Sequence, residues 1–508
     1  MKLDFAVNAR RNMFAAILNK GVGLLFPFLN RTLFLWLLGP EYLGLNGLFT
    51  SVLGVLMLAE LGFGTAVVCS MYKPIADDNR ELVCAYLRFY RTVYRWVGSV
   101  VFVIGLCLLP FLNHLVRGDV PCDINLHVLY VIHLVNTSAS YFLFAYRSSI
   151  LNAHHRGDVL TNIHTFTSVV QYIAVFMILL ITRNYYHYVA ATVFFTVLNN
   201  LFIYRESRRL FPDIRPRGDL PENLKRMVVS DVKSIFMHKV GAVVTNQADN
   251  LVISAFVGLV AVAAYGNYYY VYTAVSGLTW SVYSSMQNGF GNTIHTESKA
   301  ENFARFMKAG KLLLIVVAWC AALMTALYQP FIAAWTGGRP ELARHMLTAA
   351  LMVLYFYINQ SRQMLLSFKA AASLWRADRW KPIVAGVFNL TLNISLVITL
   401  PDEYKLDGVI CSTILSFVIV QIPWEIHVVF SRFFGAAERR AYIRMQTVFA
   451  LFALALAAVA WLAASAVAVE GFGGFVLKGA IAGMVACAGV GIVFWRELPA
   501  AVRLLRRR

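Results

Sequence analysis

Apolar runs of about 20 residues, broken by short polar stretches, repeat along the whole chain. They fall near 13–38, 43–67, 93–113, 124–150, 162–182, 186–204, 232–257, 264–286, 309–334, 343–368, 382–400, 407–430, 444–468 and 474–495. Each is long enough to cross the ~30 Å hydrocarbon layer as a helix, and Gly, Pro or charge separates it from the next. The pattern predicts an all-α polytopic membrane protein with fourteen transmembrane helices. The first run follows the basic segment MKLDFAVNARRN and has no small-residue cleavage site, so it is expected to be a retained span.

Composition agrees with that expectation: 59% of the 508 residues are apolar and only 14% are charged. The net charge of +19 would suggest nucleic acid in a soluble chain, but here the bases flank apolar runs and act as topology signals. With the N-terminus inside, the inner loops and tails hold 35 Lys and Arg, and the outer loops five (Arg117, Arg183, Arg339, Arg344 and Lys405). Both termini are therefore expected on the cytoplasmic side of a bacterial inner membrane. The seven cysteines are scattered without ligand spacing, so neither a metal nor another cofactor is expected.

Landmarks recur at a nearly constant separation. Lys20 and Lys239, and Gly39 and Gly258, differ by 219, Pro110-Phe111 and Pro330-Phe331 by 220, and Arg147 and Lys369 by 222. This drift fits two parallel six-helix lobes related by a pseudo-two-fold axis, 1–206 and 232–432, with two extra helices and a basic tail in 433–508. The connector 207–231 mixes prolines with arginines and is expected on the cytoplasmic surface, facing anionic lipid.

Five bases are counted with neither set of loops and lie within the spans: Lys20, Arg31, Lys239, Arg362 and Lys478. Lys478 is near an outer end and can snorkel, but the other four need a polar lumen or a partner. Lys20 and Arg31 are 11 residues apart, which places them on one helix face within about 20° and about 16 Å apart in depth. Arg147 and Arg362 fall towards the inner side on inward-running helices, and Lys239 falls level with Lys20. Structural ion pairs, and for Arg147 snorkelling to the inner surface, are the competing reading. Glu60 lies level with Lys20 and is a candidate ion-pair partner. Glu60 or Asp249 is alternatively a coupling site for a proton or cation, and Asp249, beside Asn246, Gln247 and Asn250, also suits a polar lining. Glu425 and His427 stay unassigned, and the tyrosines of YGNYYYVY (265–272) fit an interfacial aromatic belt.

The segments LGPEYLGLNGLF (38–49), AELGFGTAV (59–67) and MYKPIADDN (71–79), echoed by DNLVISAFVGL (249–259), resemble those of bacterial polysaccharide-repeat flippases. These exporters belong to the multidrug, oligosaccharidyl-lipid and polysaccharide (MOP) superfamily, and the resemblance covers the first twelve helices. It implies a glycan carried on a polyprenyl diphosphate, moved from the inner to the outer leaflet by alternating access, with polysaccharide polymerase machinery as a partner. A diphosphate diester carries about two negative charges, and guanidinium forks bind phosphate oxygens bidentately, so Lys20, Arg31, Arg147, Lys239 and Arg362 suit its head group. A membrane glycan polymerase or ligase would need an acid–base pair and a sugar-binding surface outside the bilayer, where the loops are short. Export of organic cations by the same fold would need carboxylates facing the cavity, yet cations outnumber acids within the runs.

Overall fold

The computed structural model describes residues 5–494 apart from 61, 119, 295, 469 and 470. The side chains of residues up to 20, of 59, 375, 376, 471 and 472, and of scattered positions in 231–246 and 281–292, Lys239 among them, lie outside that description. The described residues contain no strand.

Among the described residues eighteen α-helices follow one another in the order α1 (Phe5–Leu37), α2 (Pro40–Leu56), α3 (Phe63–Ala76), α4 (Arg80–Cys107), α5 (Leu126–Phe142), α6 (Ser148–Ala153), α7 (Gly157–Thr182), α8 (Tyr185–Leu210) and α9 (Glu222–Phe256). They continue with α10 (Leu259–Thr293), α11 (Lys299–Trp335), α12 (Met346–Ser361), α13 (Gln363–Ala371), α14 (Lys381–Thr399), α15 (Lys405–Leu415), α16 (Ile422–Arg432), α17 (Ala436–Ser465) and α18 (Gly471–Phe494). Every expected apolar run falls on one of these helices or on a helix interrupted by a short break. By length and composition seven helical segments suffice to cross a membrane among the described residues, or up to nine if each bent pair is one span. The bent pairs are α4 with the 3₁₀ turn Leu109–Leu115, at 60°, and α5 with Ala145–Ala153, at 44°.

Local chemistry explains where the helices start. Asn79, Asn125 and Asn184 accept hydrogen bonds from the first backbone N–H groups of α4, α5 and α8, and Ser298 forms a capping box with Glu301 at the start of α11. Gly39 and Gly258, which occupy the same repeat position, share a positive φ of 116° and 126° immediately before α2 and α10. A side chain is strained in that conformation.

The chain forms two compact units, one running to Val262 and the other beginning at Ala263. The first extends past the expected lobe boundary at 206 to take in the connector and α9. The connector is docked rather than loose. Ile214 and Leu220 are buried in a core with Val83, Leu87, Tyr90 and Val228, while Arg80 bonds Asp213 at 3.1 Å, Arg88 bonds the Gly218 carbonyl at 3.1 Å, and Arg147 bonds the Ile214 carbonyl at 3.1 Å. α9 packs on α2 through Asn250 and Ser51 (2.9 Å). Its last carbonyls are satisfied from the 3₁₀ corner, where Arg117 N–H donates to Ser254 at 3.1 Å and the Arg117 guanidinium donates to Phe256.

In the second unit α11 is the central helix, and α17 and α18, the two added helices, pack against it; Phe331 and Phe475 meet at 5.8 Å. α14 and α15 are joined by buried amide and hydroxyl groups, with Asn389 donating to Thr413 at 3.1 Å.

A Cβ at Gly44 would collide with the backbone carbonyl of Leu259, whereas one at Gly277 meets nothing within 4 Å. Gly44→Ala is therefore expected to destabilise the first unit by about 1–3 kcal/mol, and Gly277→Ala to be neutral or slightly stabilising. Thermal unfolding in detergent, with both variants beside the wild type, checks the difference.

Candidate functional site

The second unit contains the most heavily charged buried cluster among the described residues. Arg362 lies at the break between α12 and α13, and its Nε and Nη2 grip Glu425 at 3.1 and 2.5 Å. Nη2 also reaches Gln421 Oε1 at 2.9 Å, and the guanidinium lies 4.6 Å from the centre of the Phe417 ring. Phe417 and Gln421 belong to a π-helical turn, Ser416–Gln421, ahead of Pro423. Proline has no N–H to return to the preceding turn, and a widened turn is one way a helix absorbs that loss.

Glu425 is completely buried and takes a second cation, Lys381, at 2.6 Å. Lys381 in turn contacts Asp378 at 3.3 Å, and Asp378 binds Lys369 as well. Lys369, Asp378, Lys381, Glu425 and Arg362 thus form one chain of three cations and two carboxylates, each no more than 6% exposed. Charges in such surroundings persist only when partners and hydrogen bonds answer them. The break itself is held from α17, where Gln446 donates to the Ser361 carbonyl at 3.3 Å. Because Glu425 occupies Nε and Nη2, the Nη1 edge of Arg362 has no protein acceptor among the described residues.

In the first unit the expected residues fall into separate clusters. Glu60 closes a 3₁₀ turn before Gly62 and accepts hydrogen bonds from the phenols of Tyr94 and, at 2.6 Å, Tyr141. The Lys20–Glu60 pair expected from depth falls outside the described side chains, as does Lys239. Arg31 is half-buried on α1, close enough to Tyr188 to act on its hydroxyl electrostatically, in an aromatic group with Phe34 and Tyr185. Asp249 is buried on α9. Arg147 is 3% exposed and lies between the faces of Tyr146 and Tyr204, 5.9 and 5.5 Å from the ring centres.

Sequence reasoning left Glu425 unassigned and did not select Lys369, Asp378, Lys381, Tyr94 or Tyr141 as site residues. One signal was available: Asp378 and Lys381 stand three residues apart at the start of an apolar helix, the spacing of an intrahelical pair. No group of three or more His, Cys, Asp or Glu converges among the described residues.

The model of a family described as polysaccharide biosynthesis protein matches residues 9–285, more than half of the chain. No curated protein matches by sequence. Among solved structures, the fold is similar to the lipid II flippase MurJ in an inward closed conformation (TM-score 0.68, 15% identity, covering 96% of this chain and 99% of that one). It is also similar to an inward-facing multidrug resistance MATE family transporter of the MOP superfamily (0.59, 15%, 81% and 98%) and to a Vibrio cholerae MATE transporter (0.54, 13%, 81% and 93%).

Removing one member of the buried cluster leaves its partner charged and unanswered. Glu425→Leu or Arg362→Met alone is expected to cost about 3–5 kcal/mol, and the double change less than either. Chemical unfolding in mixed micelles reads this directly; strictly additive losses would show that the two groups do not stabilise each other.

Proposed function

The chain belongs to the polysaccharide biosynthesis protein family, and on that premise we propose that it moves a polyprenyl-diphosphate-linked oligosaccharide from the inner to the outer leaflet of a bacterial inner membrane by alternating access. The fold is that of MOP superfamily transporters, which serve lipid-linked and drug cargoes alike, so the choice of cargo rests on chemistry. The observation that carries it is the sign of the charge gathered around Arg362. In the α12–α16 cluster cations outnumber carboxylates three to two. A cluster of that sign suits a diphosphate and disfavours an organic cation.

We assign Arg31 and Arg362 to the diphosphate, with Lys20 and Lys239 supporting them. Glu425 orients Arg362 by two of its nitrogens and leaves the third for an anion. Arg31→Gln is expected to abolish glycan export at unchanged membrane abundance, and Arg362→Gln to abolish it together with the loss of stability that its pairing with Glu425 entails, with the lysine variants rescuing only partly. A leaflet-accessibility assay on a lipid-linked glycan in proteoliposomes provides the measurement, and normal export by Arg31→Gln would remove the assignment.

The membrane potential acts on the same charges. With the cytoplasm negative, outward movement of about two negative charges through the full field releases roughly 4.6 kcal/mol per 100 mV. A potassium diffusion potential imposed on the proteoliposomes, with pH and sodium equal on both sides, is expected to speed export when the inner-leaflet side is negative. Flipping that ignores its sign but follows a proton or sodium gradient would instead give Glu60 or Asp249 the coupling role.

A further inference from the structure

At the inner boundary of the first unit three arginines alternate with two tyrosines. Arg91 lies 5.9 Å from the centre of the Tyr146 ring, Arg147 lies 5.9 Å from Tyr146 and 5.5 Å from Tyr204, and Arg208 lies 5.6 Å from Tyr204. Arg208 also donates to the Tyr204 hydroxyl at 3.0 Å. None of the three arginines has an ion-pair partner among the described residues, and the buried Nε of Arg147 has no hydrogen-bond acceptor.

The geometry points to a binding site for the phosphate head group of an anionic phospholipid in the inner leaflet. A cation near a ring face is attracted to it without being neutralised, and among the described residues the protein engages only one donor of Arg147, bonded to the Ile214 carbonyl, and one of Arg208, bonded to the Tyr204 hydroxyl. Two tyrosines therefore gather three guanidiniums without cancelling their charge, and three positive charges with no carboxylate call for an anion from outside the chain.

The depth fits a lipid rather than a soluble anion. Arg91 directly precedes the apolar run of α4, Arg208 follows the run of α8 within four residues, and Arg147 is in the last turn of the run ending at 150. On the orientation read from the Lys and Arg distribution, all three lie at the cytoplasmic edge of the hydrocarbon. Five residues along the chain from Arg91 and from Arg147, Trp96 is 72% exposed and Phe142 43% exposed, as suits side chains that meet acyl chains. The connector fixes the centre of the stack, since Arg147 donates to the Ile214 carbonyl. This assignment moves Arg147 from the lumen lining expected from sequence to the membrane boundary, and it does not depend on the cargo.

The test uses the full-length protein in nanodiscs of phosphatidylcholine doped with phosphatidylglycerol, and counts retained phosphatidylglycerol by native mass spectrometry. The partly exposed Arg91 and Arg208 are changed together to Gln, so that the buried Arg147 is undisturbed. Retention is expected to fall about tenfold, as befits the loss of charge-assisted hydrogen bonds. Arg209→Gln, an exposed change one residue from Arg208, is expected to leave it unchanged. Equal retention by the double variant and the wild type overturns the proposal. So does competition by inorganic phosphate at equal concentration, which would mark a soluble-anion site, or displacement by polyprenyl diphosphate alone, which would give the stack to the cargo.

Discussion

Glu425 holds two cations from two different places in the chain, and the arrangement of α12 to α16 follows from that one carboxylate. Arg362 comes from the break between α12 and α13, and Lys381 from the first residue of α14. A charge in low-dielectric surroundings costs several kcal/mol unless answered, so all three side chains must arrive together. The break at Arg362 and the π-helical turn before Pro423 are the backbone features that bring them into register. Asp378 extends the same logic to Lys369, which lets the end of α13 stay buried.

The two repeats answer the same burden in different ways. Arg147 and Lys369 are repeat counterparts, and both are buried just past an interrupted helix. Lys369 is met by a carboxylate. Arg147 is met by a backbone carbonyl and two aromatic faces, which stabilise it without cancelling its charge. The difference suits the ligand types of the two side chains: an ammonium is a compact point charge that a carboxylate satisfies, whereas a planar guanidinium stacks and keeps its edge available. A duplicated fold can thus answer a buried cation with a carboxylate in one half and with a carbonyl and two ring faces in the other.

A shared fold leaves the cargo undecided, because a lipid flippase and multidrug transporters have the same architecture as this chain. Charge sign separates the cargoes more sharply than shape does. An unanswered carboxylate in the interior selects for cations, and an excess of guanidinium and ammonium groups selects for anions. The α12–α16 cluster, with three cations to two carboxylates, falls on the second side, and membership of a polysaccharide biosynthesis family gives that anion a chemical identity to test.

The hydrophobic pattern alone determined that the chain is helical and membrane-embedded, because a backbone in hydrocarbon has few other ways to satisfy its polar groups. The constant spacing of landmarks located the repeat, and Gly39 and Gly258 do adopt the same backbone conformation. Sequence also singled out cations within apolar runs, of which Arg362 is buried in an ion pair with Glu425. Partners were another matter. Arg362 finds Glu425 across 63 residues and Glu60 finds Tyr141 across 81, and periodicity along one helix carries no information about which face of another it meets. The connector is a further case: its charges and prolines read as a surface segment, yet Ile214 and Leu220 are buried and three arginines bond it to the first unit. Composition records how polar a segment is on average, while burial is decided by the few side chains that find a complementary surface, and that surface exists only once the helices have packed.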